Sequence, residues 1–189
     1  MVFNSKKNPQ TGDLLISEPF LQDENFVRSV ILICENNVNG TFGLVLNKLS
    51  ILRLSDLIEN FHHGDQDVFI GGPVEQNTLH FIYNGQQLIS ESIPLGPNLW
   101  WGGNYNELKE KLFANTLDLS HFRFFLGYSG WSEGQLMEEL EANTWIVCQL
   151  SESEDIFTSS PDDLWKIILR NMGGDYQQLA NYPIDPRLN

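Results

Sequence analysis

Cysteine, basic side chains and long apolar runs are all scarce in this sequence. The only two cysteines, Cys34 and Cys148, each lie inside an apolar stretch. Each is therefore expected to pack as a small hydrophobic residue, and neither suggests a disulfide framework. No apolar run approaches the roughly 18 residues of a membrane span, and the N-terminus lacks the apolar core of a signal peptide. These absences predict a cytoplasmic protein with no membrane partner.

The shortage of basic residues gives the chain a strong negative charge. It has 11 lysines and arginines against 25 aspartates and glutamates, a net charge of −14. The bias is greatest between Phe124 and Trp165, where nine carboxylates occur without a lysine or arginine. The negative electrostatic field of these carboxylates repels phosphate backbones and argues against direct nucleic-acid binding. Solubility accounts for the excess of carboxylates, and the alternative is an acidic docking face for a basic partner protein.

Length and apolar content predict one globular domain. A chain of 189 residues, 41% of them hydrophobic, can bury a core without disulfides or metals. We expect one domain over 1–189, with a frayed segment at 1–12. Apolar stretches bounded by turn residues predict strands at 13–17, 26–35, 41–47, 67–74, 77–84, 86–96, 98–103, 121–128 and 144–150. Capping residues and apolar periodicity predict helices at 52–60, 104–115, 132–143 and 159–174. Because strands outnumber helices and short turns join many of them, we predict an α+β fold, with a mixed, largely antiparallel sheet flanked by several helices.

The segment FFLGYSGWSEGQL, residues 124–136, is typical of a strand, a tight glycine turn and the start of a helix. Hydrolases present a nucleophilic serine on a turn of this kind, with the pattern G-x-S-x-G. Gly127 and Ser129 fit the pattern, but Trp131 occupies the place of the second glycine, and all four histidines precede the serine. We therefore interpret Ser129 as a small residue in a crowded bend and not as a nucleophile.

Three other patterns have both a chemical and a plain structural interpretation. The Gly-Gly-Pro sequence at 71–73 can form an anion-binding concavity or simply turn a corner. Glu138 and Glu141 can form a carboxylate dyad, although a solvated helix face also explains them. The third pattern is the loop that contains His62, His63, Asp65 and Asp67. Because no second cluster supplies further ligands, we expect no metal there, and no cofactor is expected.

Arg28 interrupts the apolar stretch 26–35, which is predicted to be a central strand. A cation in that position needs a partner, because an unpaired buried charge is costly. Glu35 lies at the far end of the same extended stretch and is too distant to reach it. Two interpretations stay open: an internal ion pair with another carboxylate, and contact with a bound ligand.

Several segments are weak signals alone but specific as an ordered set. They are 12–35 (GDLLIS to RSVILICE), 39–48 (NGTFGLVLNK), 71–74 (GGPV), 79–80 (LH), 125–140 (FLGYSGWSEGQLMEEL) and 143–147 (NTWIV). Together they resemble the AlgH/YqgE family of bacterial proteins over most of the chain. The resemblance implies an α+β fold built on a barrel-like mixed sheet and no established catalytic activity. It also implies a small residue, usually alanine, in the position of Ser129.

One branch of that family is described as a regulator of alginate production, and the label of transcriptional regulator follows from it. This chain has no convincing helix-turn-helix motif, so the label is not carried over as DNA binding. The positions that match the family pattern and are expected to line a shared site are Arg28, Glu35, Asn47, Gly71, Gly72, Pro73, His80, Tyr128, Trp131 and Gln135.

The leading hypothesis is a cytoplasmic, non-catalytic binding or regulatory protein. Its site would be a concave surface where the turn at 71–74 and the segment at 127–131 approach each other, and its partner a small molecule or a protein. One alternative is a hydrolase or transferase that uses Glu35 and His80. The other is a scaffold that binds basic proteins through the acidic residues Glu138, Glu139 and Glu141.

Overall fold

The computed structural model describes residues 8–62, 66–150 and 154–183. These residues contain ten strands: β1 (Asp13–Ser17), β2 (Val30–Asn37), β3 (Gly40–Val45), β4 (Leu49–Arg53), β5 (Asp67–Ile70), β6 (Val74–Asn84), β7 (Ile93–Gly96), β8 (Leu99–Trp101), β9 (Phe122–Ser132) and β10 (Trp145–Gln149). They also contain six α-helices: α1 (Leu54–Leu57), α2 (Tyr105–Phe113), α3 (Gln135–Glu141), α4 (Glu154–Thr158), α5 (Pro161–Met172) and α6 (Gly174–Leu179). None of the helices in the described residues is long and apolar enough to cross a membrane.

The strands form one branched sheet. Its main path runs β10-β1-β2-β3-β9-β6-β8-β7, and β5, which carries β4, branches from β9. The β5–β9 pair is parallel, and the other described pairs are antiparallel. The predicted α+β class with a mixed, largely antiparallel sheet is confirmed. In the described chain the end strands β10 and β7 do not pair, so the sheet is open and the term barrel-like fits it only loosely.

Strand β9 joins the two halves of the sheet. Its first half pairs with β5 and β6, and Ser129–Ser132 pair with β3. Gly127 lies near the point where the pairing of β9 changes from one set of strands to the other, and its φ is +66°. A Cβ atom there would lie 2.7 Å from the carbonyl oxygen of Val74 and 2.8 Å from that of Gly72. A left-handed main chain held against two carbonyls requires glycine. The predicted tight turn in GYSGW is therefore wrong, because this segment is a bent strand.

Strand β2 begins at Val30 and not at residue 26, where the apolar pattern begins. Arg28 lies in the preceding turn and has a left-handed main chain with φ of +49°. Asn47 holds this turn: its side-chain amide donates to the Arg28 carbonyl at 2.8 Å, and its oxygen accepts from the Val30 N–H at 2.9 Å. The predicted strand start is wrong because a side chain distant in sequence stabilises a turn there.

Two of the predicted helices are confirmed with their caps largely in place. Helix α2 follows Asn104, whose side-chain oxygen accepts from the Glu107 N–H at 3.1 Å. Helix α5 spans Pro161–Met172, within the predicted 159–174, and Gly173 is its C-cap. Ser160 precedes α5 but makes no side-chain capping bond. Its carbonyl oxygen accepts the first main-chain hydrogen bonds of the helix instead.

The predictions for α1 and α3 were less accurate, and β4 was not predicted. The helical pattern at 52–60 yields only one turn, Leu54–Leu57, and Leu49–Arg53 pair with β5 as an unpredicted strand. Helix α3 begins at Gln135 and not at residue 132, because β9 continues through Ser132. The local patterns therefore missed β4 and misplaced the boundaries of both helices.

Buried side chains cover both faces of the sheet. In β1, Leu14 and Ile16 belong to a cluster that includes Trp165 of α5, whereas Leu15 belongs to a cluster on the other face that includes Trp131. Adjacent strand residues point to opposite faces, so continuous burial of this strand means that both faces are covered. A third cluster packs against α1 and α2. The first cluster reaches the surface at its partly buried aromatic members, which position the candidate site.

Candidate functional site

Ser129 is fully buried, and its hydroxyl donates a hydrogen bond to the Gly71 carbonyl oxygen at 3.1 Å. The same oxygen accepts the Val45 N–H at 2.9 Å. A nucleophilic serine needs an accessible hydroxyl beside a base. This hydroxyl is enclosed and bonded to main chain, which agrees with its interpretation as a small structural residue.

The Gly-Gly-Pro turn packs directly against β9. Gly71 and Gly72 are buried, and the Gly71 N–H donates to the Leu126 carbonyl at 2.8 Å. A Cβ atom at Gly72 would lie 2.2 Å from the carbonyl carbon of Tyr128, so no side chain fits between turn and strand. The two segments expected to approach each other are therefore in contact. Because the Gly71 N–H is already bonded, it does not serve the anion-binding concavity that the sequence left open.

Four partly buried rings meet beside this contact: Phe42 of β3, His80 of β6, Trp101 of β8 and Tyr128 of β9. Phe42 is central. Its ring centroid lies 4.6 Å from that of Tyr128, with an interplanar angle of 28°, and 4.9 Å from that of Trp101. His80 meets Phe42 edge-on at 5.3 Å and Tyr128 at 6.0 Å. Rings at these separations attract one another, so we treat the four as one unit, the ring cluster.

The ring cluster borders a surface depression of about 430 Å³. Phe42 and Tyr128 contribute ring surface to its lining, and Glu35, Asn37 and Asn39 of the β2–β3 hairpin contribute polar groups. Gly130 also lines it, and a Cβ atom there would lie 3.2 Å from the Tyr128 ring. Ring surface facing a few polar groups within a concavity is the usual composition of a ligand site.

Glu35 and His80 both lie close to Phe42 but make separate contacts. Glu35 is opposite Phe42 in the β2–β3 ladder, is exposed, and accepts a hydrogen bond from the Asn37 side chain. His80 is half-buried, and its Nε2 lies 3.2 Å from the Thr78 hydroxyl. Burial lowers the pKa of His80, so the imidazole is neutral at neutral pH. The described contacts include no hydrogen bond between these two side chains, which an acid–base pair would require.

Trp131 and Gln135 serve mainly a structural cluster on the other face of the sheet. The indole N–H groups of Trp131 and Trp145 donate to the same Glu139 carboxylate oxygen, at 2.8 and 2.6 Å. The Gln135 amide donates to the other carboxylate oxygen at 3.0 Å. Trp131 is 5% exposed, although part of it lines the depression. Glu139, one of the acidic residues that the scaffold alternative assigned to binding basic proteins, therefore accepts hydrogen bonds from three side chains.

Arg28 and Asn47 lie beyond the start of β2, whereas Glu35 is near its end. The guanidinium of Arg28 lies 4.8 Å from the Trp165 ring centroid and donates to the Tyr182 carbonyl oxygen. A π face and a carbonyl are thus its partners among the described contacts, in place of the carboxylate that an ion pair would need. These two residues do not line the depression with Glu35 and Tyr128.

The histidine-containing loop is only partly described, since His63 and Asp65 lie outside the described residues. Within 8–62, 66–150 and 154–183, no three histidine, cysteine, aspartate or glutamate side chains cluster as a metal site requires. The sulfur atoms of Cys34 and Cys148 are both free. Cys34 is buried, as expected, whereas Cys148 is partly exposed.

Comparison with known proteins gives one consistent match over most of the chain. The sequence profile of a family described as AlgH-like matches residues 14–177. The chain belongs to the AlgH-like family. A UPF0301 protein from Cytophaga hutchinsonii is 46% identical over 179 residues, which cover 94% of this chain and 98% of that relative. A UPF0301 protein from Chlorobium luteolum is 38% identical over 188 residues, which cover 100% of this chain and 99% of that relative. The family resemblance predicted from the sequence is confirmed.

Two solved structures share the fold of this AlgH-like chain. A crystal structure of a protein from Corynebacterium diphtheriae has a TM-score of 0.80 at 24% identity and covers 95% of both chains. The solution structure of the AlgH protein from Pseudomonas aeruginosa has a TM-score of 0.71 at 24% identity, covering 94% of this chain and 97% of that one. At this identity the likeness shows the fold alone.

Sequence reasoning identified half of the ring cluster of this AlgH-like chain, His80 and Tyr128, and missed Phe42 and Trp101. Phe42 follows a polar residue in a short predicted strand, which indicates a strand and nothing about its neighbours. The contact of Phe42 with Tyr128 depends on the pairing of β3 with β9. A single sequence carries no visible sign of which distant strands pair.

Proposed function

We propose that this AlgH-like chain is a cytoplasmic, non-catalytic binding protein with a regulatory role. Its site is the depression beside the ring cluster, which takes a small molecule or a side chain of a partner protein. The observation that carries the proposal is that the rings of Phe42 and Tyr128 and the polar side chains of the β2–β3 hairpin line the same depression. Concave apolar surface with a few polar groups is the common pattern of ligand sites.

Three features favour binding over chemistry or direct DNA contact. The Ser129 hydroxyl is enclosed, so it does not act as an acyl-transfer nucleophile. Glu35 and His80 hydrogen-bond to separate partners. The net charge of −14 opposes a phosphate backbone. A regulatory role would therefore act through the ligand or a partner protein.

An NMR fragment screen with matched variants tests the proposal. Tyr128→Ala removes one side of the depression, so ligands that shift resonances of the ring cluster in the wild type should lose binding in this variant. Tyr105→Ala is the control, because it removes a tyrosine at the start of α2 that is 44% exposed. Binding to the control should match that of the wild type.

The structural integrity of both variants is checked first by circular dichroism. Ligands that bind Tyr128→Ala as tightly as the wild type would contradict the proposal. So would ligands that shift resonances only at a distant surface, such as the cavity lined by Phe20, Asn143 and Tyr182.

A further inference from the structure

The polar side of the depression has a carboxylate and no cation. Glu35 lines it, and no lysine or arginine among the described residues does so. A second carboxylate, Glu75, directly follows Val74, which lines the depression. Burial lowers the pKa of His80, and the charge of Glu75 opposes that effect, so Glu75 is within electrostatic range of the imidazole. One carboxylate in the lining and a second one next to it in sequence, with no cation among the described lining residues, favour a positively charged ligand.

The rings of the cluster suit the same kind of ligand. An aromatic face attracts a cation placed within about 6 Å of its centroid. Phe42 and Tyr128 both line the depression, and their ring planes lie at 28° to each other. His80, the remaining ionisable ring beside them, is neutral at neutral pH because its burial lowers its pKa. It therefore does not repel a cation.

We propose that the depression binds an alkylammonium or alkylguanidinium group. The charged head faces Glu35, and the apolar stem packs against Phe42 and Tyr128. The volume of about 430 Å³ lies within the range of roughly 300–1,000 Å³ usual for small-ligand sites. The inference rests on the proposed function and adds the class of ligand. A free small amine or guanidine and a lysine or arginine side chain of a partner protein share this chemistry.

The direct test is an NMR titration of the full chain with n-butylguanidinium and with n-butylurea. The two probes have nearly the same shape, and only the first is charged. We expect n-butylguanidinium to shift the ring-cluster resonances and to bind about five- to tenfold more tightly, the size of one exposed cation–π contact plus one exposed ion pair.

Two charge-neutralising variants separate a local effect from a general one. Glu35→Gln keeps the shape of an exposed side chain and removes its charge, so it should reduce n-butylguanidinium affinity about fivefold and leave n-butylurea binding unchanged. Glu110→Gln changes the net charge equally but lies on α2, outside the depression. It should leave the affinity for both probes unchanged.

A second titration distinguishes the two sources of the ligand. It compares n-butylguanidinium with a capped pentapeptide, Gly-Gly-Arg-Gly-Gly, and with the citrulline version of that peptide. Tighter binding of the arginine peptide, with added shifts at Asn37 and Asn39, identifies a partner-protein side chain as the ligand. Equal or weaker binding of the arginine peptide identifies a free small cation.

The possible failures have different meanings. If n-butylurea binds as tightly as n-butylguanidinium, or if Glu35→Gln has no more effect than Glu110→Gln, the ligand class is wrong and the binding site stands. If neither n-butylguanidinium nor the arginine peptide binds at millimolar concentration while neutral fragments do, the ligand class is again wrong. If no fragment of any charge binds at the ring cluster, both this inference and the proposed function are wrong.

Discussion

The hydroxyl of Ser129 and the carbonyl oxygen of Gly71 are joined by a hydrogen bond of 3.1 Å inside the protein. The bond connects β9 to the turn that follows β5. Ser129, whose sequence pattern first suggests a hydrolase, therefore helps to connect two halves of a sheet. We call this contact between Ser129 and Gly71 the joint. The depression lies beside this joint, so the stability of the joint and the shape of the site are coupled.

Replacing Ser129 with alanine should lower the free energy of unfolding by only about 1 kcal/mol. The loss is small because the Gly71 carbonyl keeps its second donor, the Val45 N–H. Ser129→Leu should cost more, about 3 kcal/mol, because a fully buried site has no space for added volume. Urea unfolding followed by tryptophan fluorescence measures both. Equal costs for the two variants would contradict this description of the joint.

Gly127 and Gly134 provide a matched pair for the bend in β9. Both have left-handed main chain, with φ of +66° and +78°. A Cβ atom at Gly127 would meet two carbonyl oxygens within 2.8 Å, whereas nothing lies within 4 Å of one at Gly134. Gly134→Ala should cost about 1 kcal/mol, from conformation alone.

Gly127→Ala should cost about 3 kcal/mol or more, because steric strain adds to the same conformational penalty. Thermal unfolding of the two variants gives the comparison. A cost at position 127 no larger than that at position 134 would show that the carbonyl contacts do not constrain the bend.

Glu139→Ala should destabilise the protein by about 3 kcal/mol, because it leaves two buried indole N–H groups without their acceptor. The donors are Trp131 and Trp145, which are 5% and 2% exposed. Glu138→Ala is the control on the same helix, and an exposed substitution of this kind should stay within about 0.5 kcal/mol of the wild type. Chemical denaturation measures both differences. A Glu139→Ala cost no larger than that of the control would contradict the role assigned to the carboxylate.

His80 should make the stability of the protein fall as the pH is lowered from about 6.5 towards 5. Burial lowers the pKa of His80 in the folded protein, so the unfolded chain takes up the proton first and acid favours unfolding. This contribution is fully present above the unfolded pKa of about 6.5 and is lost as the pH falls through the folded value. His80→Gln has no proton to take up in this range.

The measurement is the melting temperature of wild type and His80→Gln at several pH values between 5 and 8. The difference between the two should change in favour of the variant as the pH falls below about 6.5. A difference that stays constant across this range would show that the folded state does not favour the neutral imidazole.

Local signals predicted the elements whose boundaries depend on nearby residues. Helix α5 begins at Pro161 and ends at Met172, just before Gly173, because proline suits a first helical turn and glycine suits the position after the last one. Strand β1 was predicted with its observed bounds, because a short apolar segment ends before a proline. The start of β2 was wrong, since the turn at Arg28 depends on hydrogen bonds from Asn47.

The candidate site shows the same division between features that depend on nearby residues and features that depend on distant ones. Glycine spacing and the family resemblance pointed to Gly72 and Tyr128, which are in contact. The ring of Phe42 became part of the site only because β3 pairs with the second half of β9. The role of Glu139 depends on two tryptophans from different strands, so its helix pattern alone could not indicate it.

The amino-acid sequence by itself determined the negative charge, the α+β composition and the membership of the AlgH-like family. These properties depend on residue type and on neighbours along the chain. Only the tertiary structure decided that Ser129 is enclosed, that Arg28 leaves its strand, and that four rings meet at one depression. Those outcomes depend on which distant strands pair, and the energy of that pairing is shared among many weak contacts that no local pattern records.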